Sequence, residues 1–113
     1  MYEALSELNK TTGITGSMVV GVDGIVIASD LDESVEEEAV GALAASISAN
    51  IRKSLDRLNA TPLRDVTVEA EYGKLFMSDV NVGILVVTTE PEINMGLVRL
   101  EMKNAATKLS VSA

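Results

Sequence analysis

Three features of this sequence predict an α+β sandwich, a five-stranded antiparallel sheet with helices on both faces. A long amphipathic stretch, Ser34 to Leu58, divides the runs of β-branched residues into two groups. Before it, Asp23-Gly24 sits between two such runs, as in a tight hairpin. After it, three strand-like runs follow between Asp65 and Thr89, and a second helical pattern comes next.

In chain order, Glu3 to about Thr12 carries Leu5 and Leu8, with Met1 and Ala4, at helical spacing, and Gly13 is placed to stop a helix. Ser17 to Val22 and Ile25 to Ser29 read as strands joined by a two-residue type I′ turn at Asp23-Gly24. Both are apolar at successive positions (Met18, Val19, Val20; Ile25, Val26, Ile27), as expected of strands covered on both faces. Helices must therefore flank the sheet on either side.

The long helix has its start written in its residues. Ser34 can cap the free amides, Glu37 completes a capping box, and Glu36, Glu37 and Glu38 suit the positive end of the dipole. Val40, Leu43, Ala44, Ile47, Ile51, Leu55 and Leu58 recur at three- and four-residue steps and define the face expected to lie on the sheet. Arg52, Lys53 and Arg57 fall in the last turns, and Asn59 with Pro62 ends the run. A second stripe of small residues, Ala42, Ala45 and Ala49 with Gly41 beside them, reads equally as a solvated alanine face or as a surface for close helix packing.

A loop from Asn59 to Leu63 leads to Asp65 to Glu71, where Val66, Val68 and Ala70 face one way and Thr67, Glu69 and Glu71 the other. Turns at Tyr72-Gly73 and Asn81-Val82-Gly83 separate it from strands Lys74 to Val80 and Ile84 to Thr89, the latter apolar enough for the middle of a sheet. The final helix, about Asn94 to Leu109, has Met95, Val98, Met102, Ala105, Ala106 and Leu109 on one stripe, with a short polar tail beyond. The order α-β-β-α-β-β-β-α closes most economically with the first and last strands adjacent, giving 2-1-5-4-3 across the sheet. The long helix then covers one face and the other two helices cover the opposite one.

In that order Asp65 to Glu71 is an edge strand without proline or inward lysine to discourage pairing. Val66, Thr67, Val68, Glu69 and Ala70 are therefore the expected contacts of a homodimer with one continuous sheet, its two long helices meeting through the small-residue stripe.

Composition narrows the function. The 113 residues fit a single domain, 1–113, and 47% hydrophobic content supplies a core. Absence of cysteine and histidine removes disulfides, thiol nucleophiles, the usual zinc ligands and Ser-His-Asp catalysis. No catalytic residue, metal site or cofactor is expected. A net charge of −8 opposes binding along nucleic-acid phosphates. With no apolar run long enough to span a bilayer and no leader-like start, the expectation is a mature, soluble, cytoplasmic protein without membrane insertion.

The remaining motifs favour bland readings. Gly13, Gly16, Gly21 and Gly24 match no phosphate-loop spacing. Counting a calcium loop from Asp30 places Val35 and Gly41 where glycine and glutamate are needed. Glu69 and Glu71 are more simply rim charges than an acid-base pair. Arg52 and Lys53 complement the helix C-terminus or engage a partner's carboxylate or γ-phosphate. Most of the five methionines fall at core-like positions.

The hairpin Val19-Val20-Gly21-Val22-Asp23-Gly24-Ile25-Val26-Ile27-Ala28 and the segment Asn94-Met95-Gly96-Leu97-Val98-Arg99 opening the last helix, in this element order, resemble the Roadblock family, named after dynein light chains. The resemblance covers roughly residues 3 to 109. It implies a non-catalytic homo- or heterodimer built through the edge strand and long helix. Prokaryotic members commonly accompany Ras-like small GTPases, and a gliding-motility subgroup accelerates its partner's GTP hydrolysis without an arginine finger. This chain is shorter than that subgroup and lacks its extra tail, so the resemblance implies GTPase binding more directly than activation. The expected function is a platform or regulator for a Ras-like GTPase, contacted through Ala42, Ala45, Ala49, Arg52 and Lys53. The alternative is a small-molecule sensor or signalling scaffold acting without a GTPase.

Overall fold

The computed structural model describes residues 1–59 and 62–112. Positions 60 and 61 of the expected Asn59 to Leu63 loop, and position 113 of the tail, lie outside the described residues. The elements are α1 (Tyr2–Asn9), β1 (Ile14–Val20), β2 (Val26–Asp30), α2 (Glu37–Arg57), β3 (Asp65–Ala70), β4 (Gly73–Val80), β5 (Gly83–Thr89) and α3 (Met95–Ser112). One five-stranded sheet runs β2-β1-β5-β4-β3 with every neighbour antiparallel, as the hairpin-plus-meander logic requires.

Strand alternation divides the interior into two layers. On one face Val19, Phe76, Leu85 and Val87 pack with Leu5 and Leu8 of α1 and Val98, Met102 and Leu109 of α3. On the other, Met18, Val20, Met77, Ile84 and Val86 lie under Ala44 of α2. The unbroken apolar run Met18-Val19-Val20 is thus explained: its side chains enter opposite cores and all are fully buried.

Local boundaries differ from the sequence expectations for identifiable reasons. The first helix stops at Asn9 rather than Thr12, and Asn9 is tied to the sheet: its Nδ2 donates to the Asp30 carbonyl at 2.8 Å and its Oδ1 accepts from Ser17 Oγ at 2.7 Å. β1 begins at Ile14 rather than Ser17, because Ile14 already pairs with Thr89 of β5.

The hairpin turn is not a two-residue type I′ turn. Gly21 N–H donates to the Ile25 carbonyl at 2.8 Å and Gly24 N–H to the Gly21 carbonyl at 2.9 Å, with Gly24 at φ +88°. This is a three-residue loop, Val22-Asp23-Gly24, whose last position needs glycine's left-handed freedom. Asp23 Oδ1 accepts from Ile25 N–H at 3.1 Å and holds the turn in that form. At the other end, α3 runs past Leu109 to Ser112, and Asn94 Oδ1 caps its start through Leu97 N–H at 3.0 Å.

The capping box also fails to form. α2 starts at Glu37 with Glu36 as N-cap and no side-chain cap bond. Ser34 is engaged in a separate turn, donating from its N–H and its hydroxyl to Asp32 Oδ1, each at 2.9 Å. The Glu37 carboxylate, instead of reaching back to Ser34, accepts from Ser29 Oγ and ties the helix to β2. A loop residue with its own local acceptor is lost to the helix as a cap.

Candidate protein interface

The residues that bring α2 onto the sheet are small. Gly41, Ala44 and Ser48, spaced three and four apart, are its buried positions. A Cβ at Gly41 would stand 3.2 Å from the Gly24 carbonyl oxygen and 3.3 Å from Val26 Cγ2, so the helix backbone rests almost directly on the hairpin. Gly41 therefore belongs to the helix-sheet seam rather than to an outward stripe.

This close seam rotates the larger apolar residues away from full burial. Val40, Ile47, Ile51 and Leu55 are half-buried, while Leu43 and Leu58, expected on the core face, are 53% and 75% exposed. Of the five residues expected to meet a partner, Ala42, Ala49 and Lys53 are exposed, and Ala45 is half-buried where its Cβ approaches Gly24. Arg52 turns toward the sheet, where its guanidinium pairs with Asp79 Oδ1 of β4 at 2.9 Å. The structure thus brings Ala42, Ala49 and Lys53 together on the outer side and places Arg52 apart from them.

Among the described residues β3 is bonded to β4 alone, and its second edge is open in the sheet order. Val66 and Val68 pair with Met77 and Leu75, so with Ala70 they face the α2 side. Thr67 and Glu69 pair with Phe76 and Lys74 and face the α3 side. Val66 and Thr67 are half-buried, whereas Val68, Glu69 and Ala70 are exposed. The alternation read from the sequence is therefore the observed one. The opposite edge, β2, is shorter and is distorted by a register shift between Val19 and Val20 of its neighbour, which makes it a poorer template for pairing.

A groove of about 340 Å³ lies beside β3 on the α3 face, floored by Phe76, Ser78 and Met102 and rimmed by Arg64, Arg99 and Lys103. The Arg99 guanidinium stands over the Phe76 ring, 6.0 Å from its centroid, and donates to Thr67 Oγ1 at 3.4 Å. These cations come from a loop and a helix far apart in the chain, and no local sequence pattern marks them as a group.

Among the described residues no cluster of three or more His, Cys, Asp or Glu side chains is placed to hold a metal ion. Asp32 has its carboxyl held below the ordinary range, first by the Ser34 N–H and then by the Ser34 hydroxyl. Both groups build an exposed turn. Among the described residues, no helix is long and apolar enough to cross a membrane.

Comparison with known proteins places this arrangement in a lineage. Residues 1–89 match the Roadblock/LC7 domain model. Two uncharacterized proteins of Methanocaldococcus jannaschii are each 48% identical over 105 residues, covering 93% of this chain and 92% of theirs. Among solved structures, a Roadblock/LC7 domain from Streptomyces avermitilis superposes with a TM-score of 0.90 at 22% identity, covering 99% of this chain and 96% of that one. Myxococcus xanthus MglB superposes with a TM-score of 0.88 at 22% identity, covering 95% and 89%. With the family model spanning residues 1–89, most of the sequence, the chain belongs to the Roadblock/LC7 domain family.

Proposed function

We propose that the chain is a non-catalytic, cytoplasmic homodimeric platform that binds and regulates a Ras-like small GTPase. The observation that carries this reading is the position of the open β3 edge beside an incompletely covered α2. Val66 and Val68 share a sheet face with that helix, and Leu43 on it and Leu58 at its C-cap are left exposed. A second copy related by a two-fold axis would continue the sheet through Val66, Thr67, Val68, Glu69 and Ala70 and bury apolar surface on the two helices. The likeness in fold to Myxococcus xanthus MglB and to a gliding protein of Thermus thermophilus, taken with the Roadblock resemblance, supports the choice of a GTPase as partner.

On this reading the GTPase meets the outer surface of the paired helices through Ala42, Ala49 and Lys53, flanked by Ala45 and Arg52. Small side chains there admit a close approach of the partner's backbone, and Lys53 offers a carboxylate or phosphate contact. Arg52 is already held by Asp79 and is only 33% exposed, so its donation to a γ-phosphate would first break that pair. Regulation therefore acts by favouring one switch conformation, which requires different affinities for the two nucleotide states. The test is a calorimetric titration with a purified Ras-like GTPase of the same organism, loaded with GDP or with a non-hydrolysable GTP analogue. The expected difference in Kd is about fivefold or more. Equal affinities would sink the regulatory reading.

A further inference from the structure

We propose that Arg99, with Arg64 and Lys103 behind it, receives the partner's Glu69 across paired β3 edges, and that this contact sets the register of the homodimer and favours a second copy of this chain over other partners. The proposal rests on the β3-paired dimer described above.

The first observation is an unspent set of charges. The chain carries nine Lys and Arg against seventeen Asp and Glu, yet three of the nine gather around one groove. Among the described residues, none of Arg64, Arg99 and Lys103 has a carboxylate within 4.0 Å, although Asp65 lines the same groove. Glu69 is equally unpaired. Its cross-strand neighbour Lys74 donates to the Pro91 carbonyl and makes no ion pair with it. A protein with surplus acid thus leaves cations and an acid unmatched on either side of an open strand edge.

The second observation is geometric. A two-fold axis normal to the sheet keeps each face on its own side, so the partner's Glu69 emerges on the α3 face, where Thr67 and Arg99 stand. With pairing centred on Val68, the partner's Glu69 lies directly opposite Thr67, with Cβ atoms about 4.5–5.5 Å apart. With pairing centred on Thr67 it lies directly opposite Asp65, two carboxylates face to face, which is repulsive. The first position is within reach of a guanidinium already bonded to Thr67 Oγ1. Pairing centred on Glu69 likewise sets two carboxylates opposite each other. Electrostatics therefore selects among registers that the backbone alone leaves open.

Arg99 and Glu69 are both exposed, so reversing either charge leaves the core intact. The experiment mixes Arg99→Glu and Glu69→Arg chains and counts dimers by native mass spectrometry after subunit exchange. Each variant repels itself at both symmetric contacts, whereas the mixed dimer restores attraction at both. The mixed species is expected at about three-quarters of all dimers or more, falling toward one half in about 1 M salt as screening shortens to about 3 Å. A fixed one-half share at low salt, with the unaltered chain dimeric, would overturn this contact alone. An unaltered chain that is monomeric would overturn the β3-paired dimer and this contact with it.

Discussion

Gly41 sets the distance between the long helix and the sheet. Its missing side chain lets the α2 backbone rest on Gly24 and Val26, with 3.2 and 3.3 Å available where a Cβ would be. Gly41→Leu is expected to lift the helix and lower the unfolding free energy by about 1–3 kcal/mol in a urea titration, since overpacking of this kind forces backbone shifts. Unchanged stability would mean that the hairpin gives way freely. Asp32 acts at the same scale through charge. Its folded carboxyl is held below the ordinary value of about 3.9, so the turn's contribution is present above that value and lost as pH falls through the folded one. An NMR titration should find Asp32 ionising below that ordinary value, and Asp32→Asn, which keeps an acceptor for Ser34, should remove this acid limb from the stability profile. A carboxyl titrating at or above the ordinary value would contradict it.

At the scale of elements, β3 and α2 are each finished on one side only. β3 lacks a neighbour beyond β4, and α2 is seated by small residues while Leu43 and Leu58 remain outside. In an antiparallel ladder, alternate residues direct their N–H toward one neighbour and then the other. One of the two variants Thr67→Pro and Val68→Pro therefore removes a donor from the open edge alone. That variant is expected to stay folded by circular dichroism and to run near the 11.9 kDa of one chain in light scattering across a tenfold dilution, where the unaltered chain is expected at twice that mass. A folded edge variant that keeps the dimer mass would place the interface elsewhere. The element boundaries carry a related lesson. Ser34 and Glu37 have the residue types and spacing of a capping box, yet each finds a better local partner, Asp32 and Ser29 respectively.

For the whole molecule, the sequence by itself determined the element order, the strand order and the alternation on β3. Those follow from rules that act over a few residues: turn chemistry, the two-residue period of strands, and the preference for adjacent antiparallel neighbours. The absence of histidine and cysteine was equally decisive, since it removes whole classes of chemistry without any folding. Only the tertiary structure decided which side of α2 is buried. Periodicity specifies that Val40, Leu43, Ile47 and Leu58 share a stripe, but not that Gly41, Ala44 and Ser48 would approach more closely and claim the seam. The hairpin's loop form and the pairing of Arg52 with Asp79 were decided in the same way, by neighbours distant in the chain or by one competing acceptor. The gathering of Arg64, Arg99 and Lys103 beside β3 is the clearest instance. Charge patterns read along a chain extend over a turn or a strand pair, whereas these cations meet only because α3 is folded back across the β3–β4 edge.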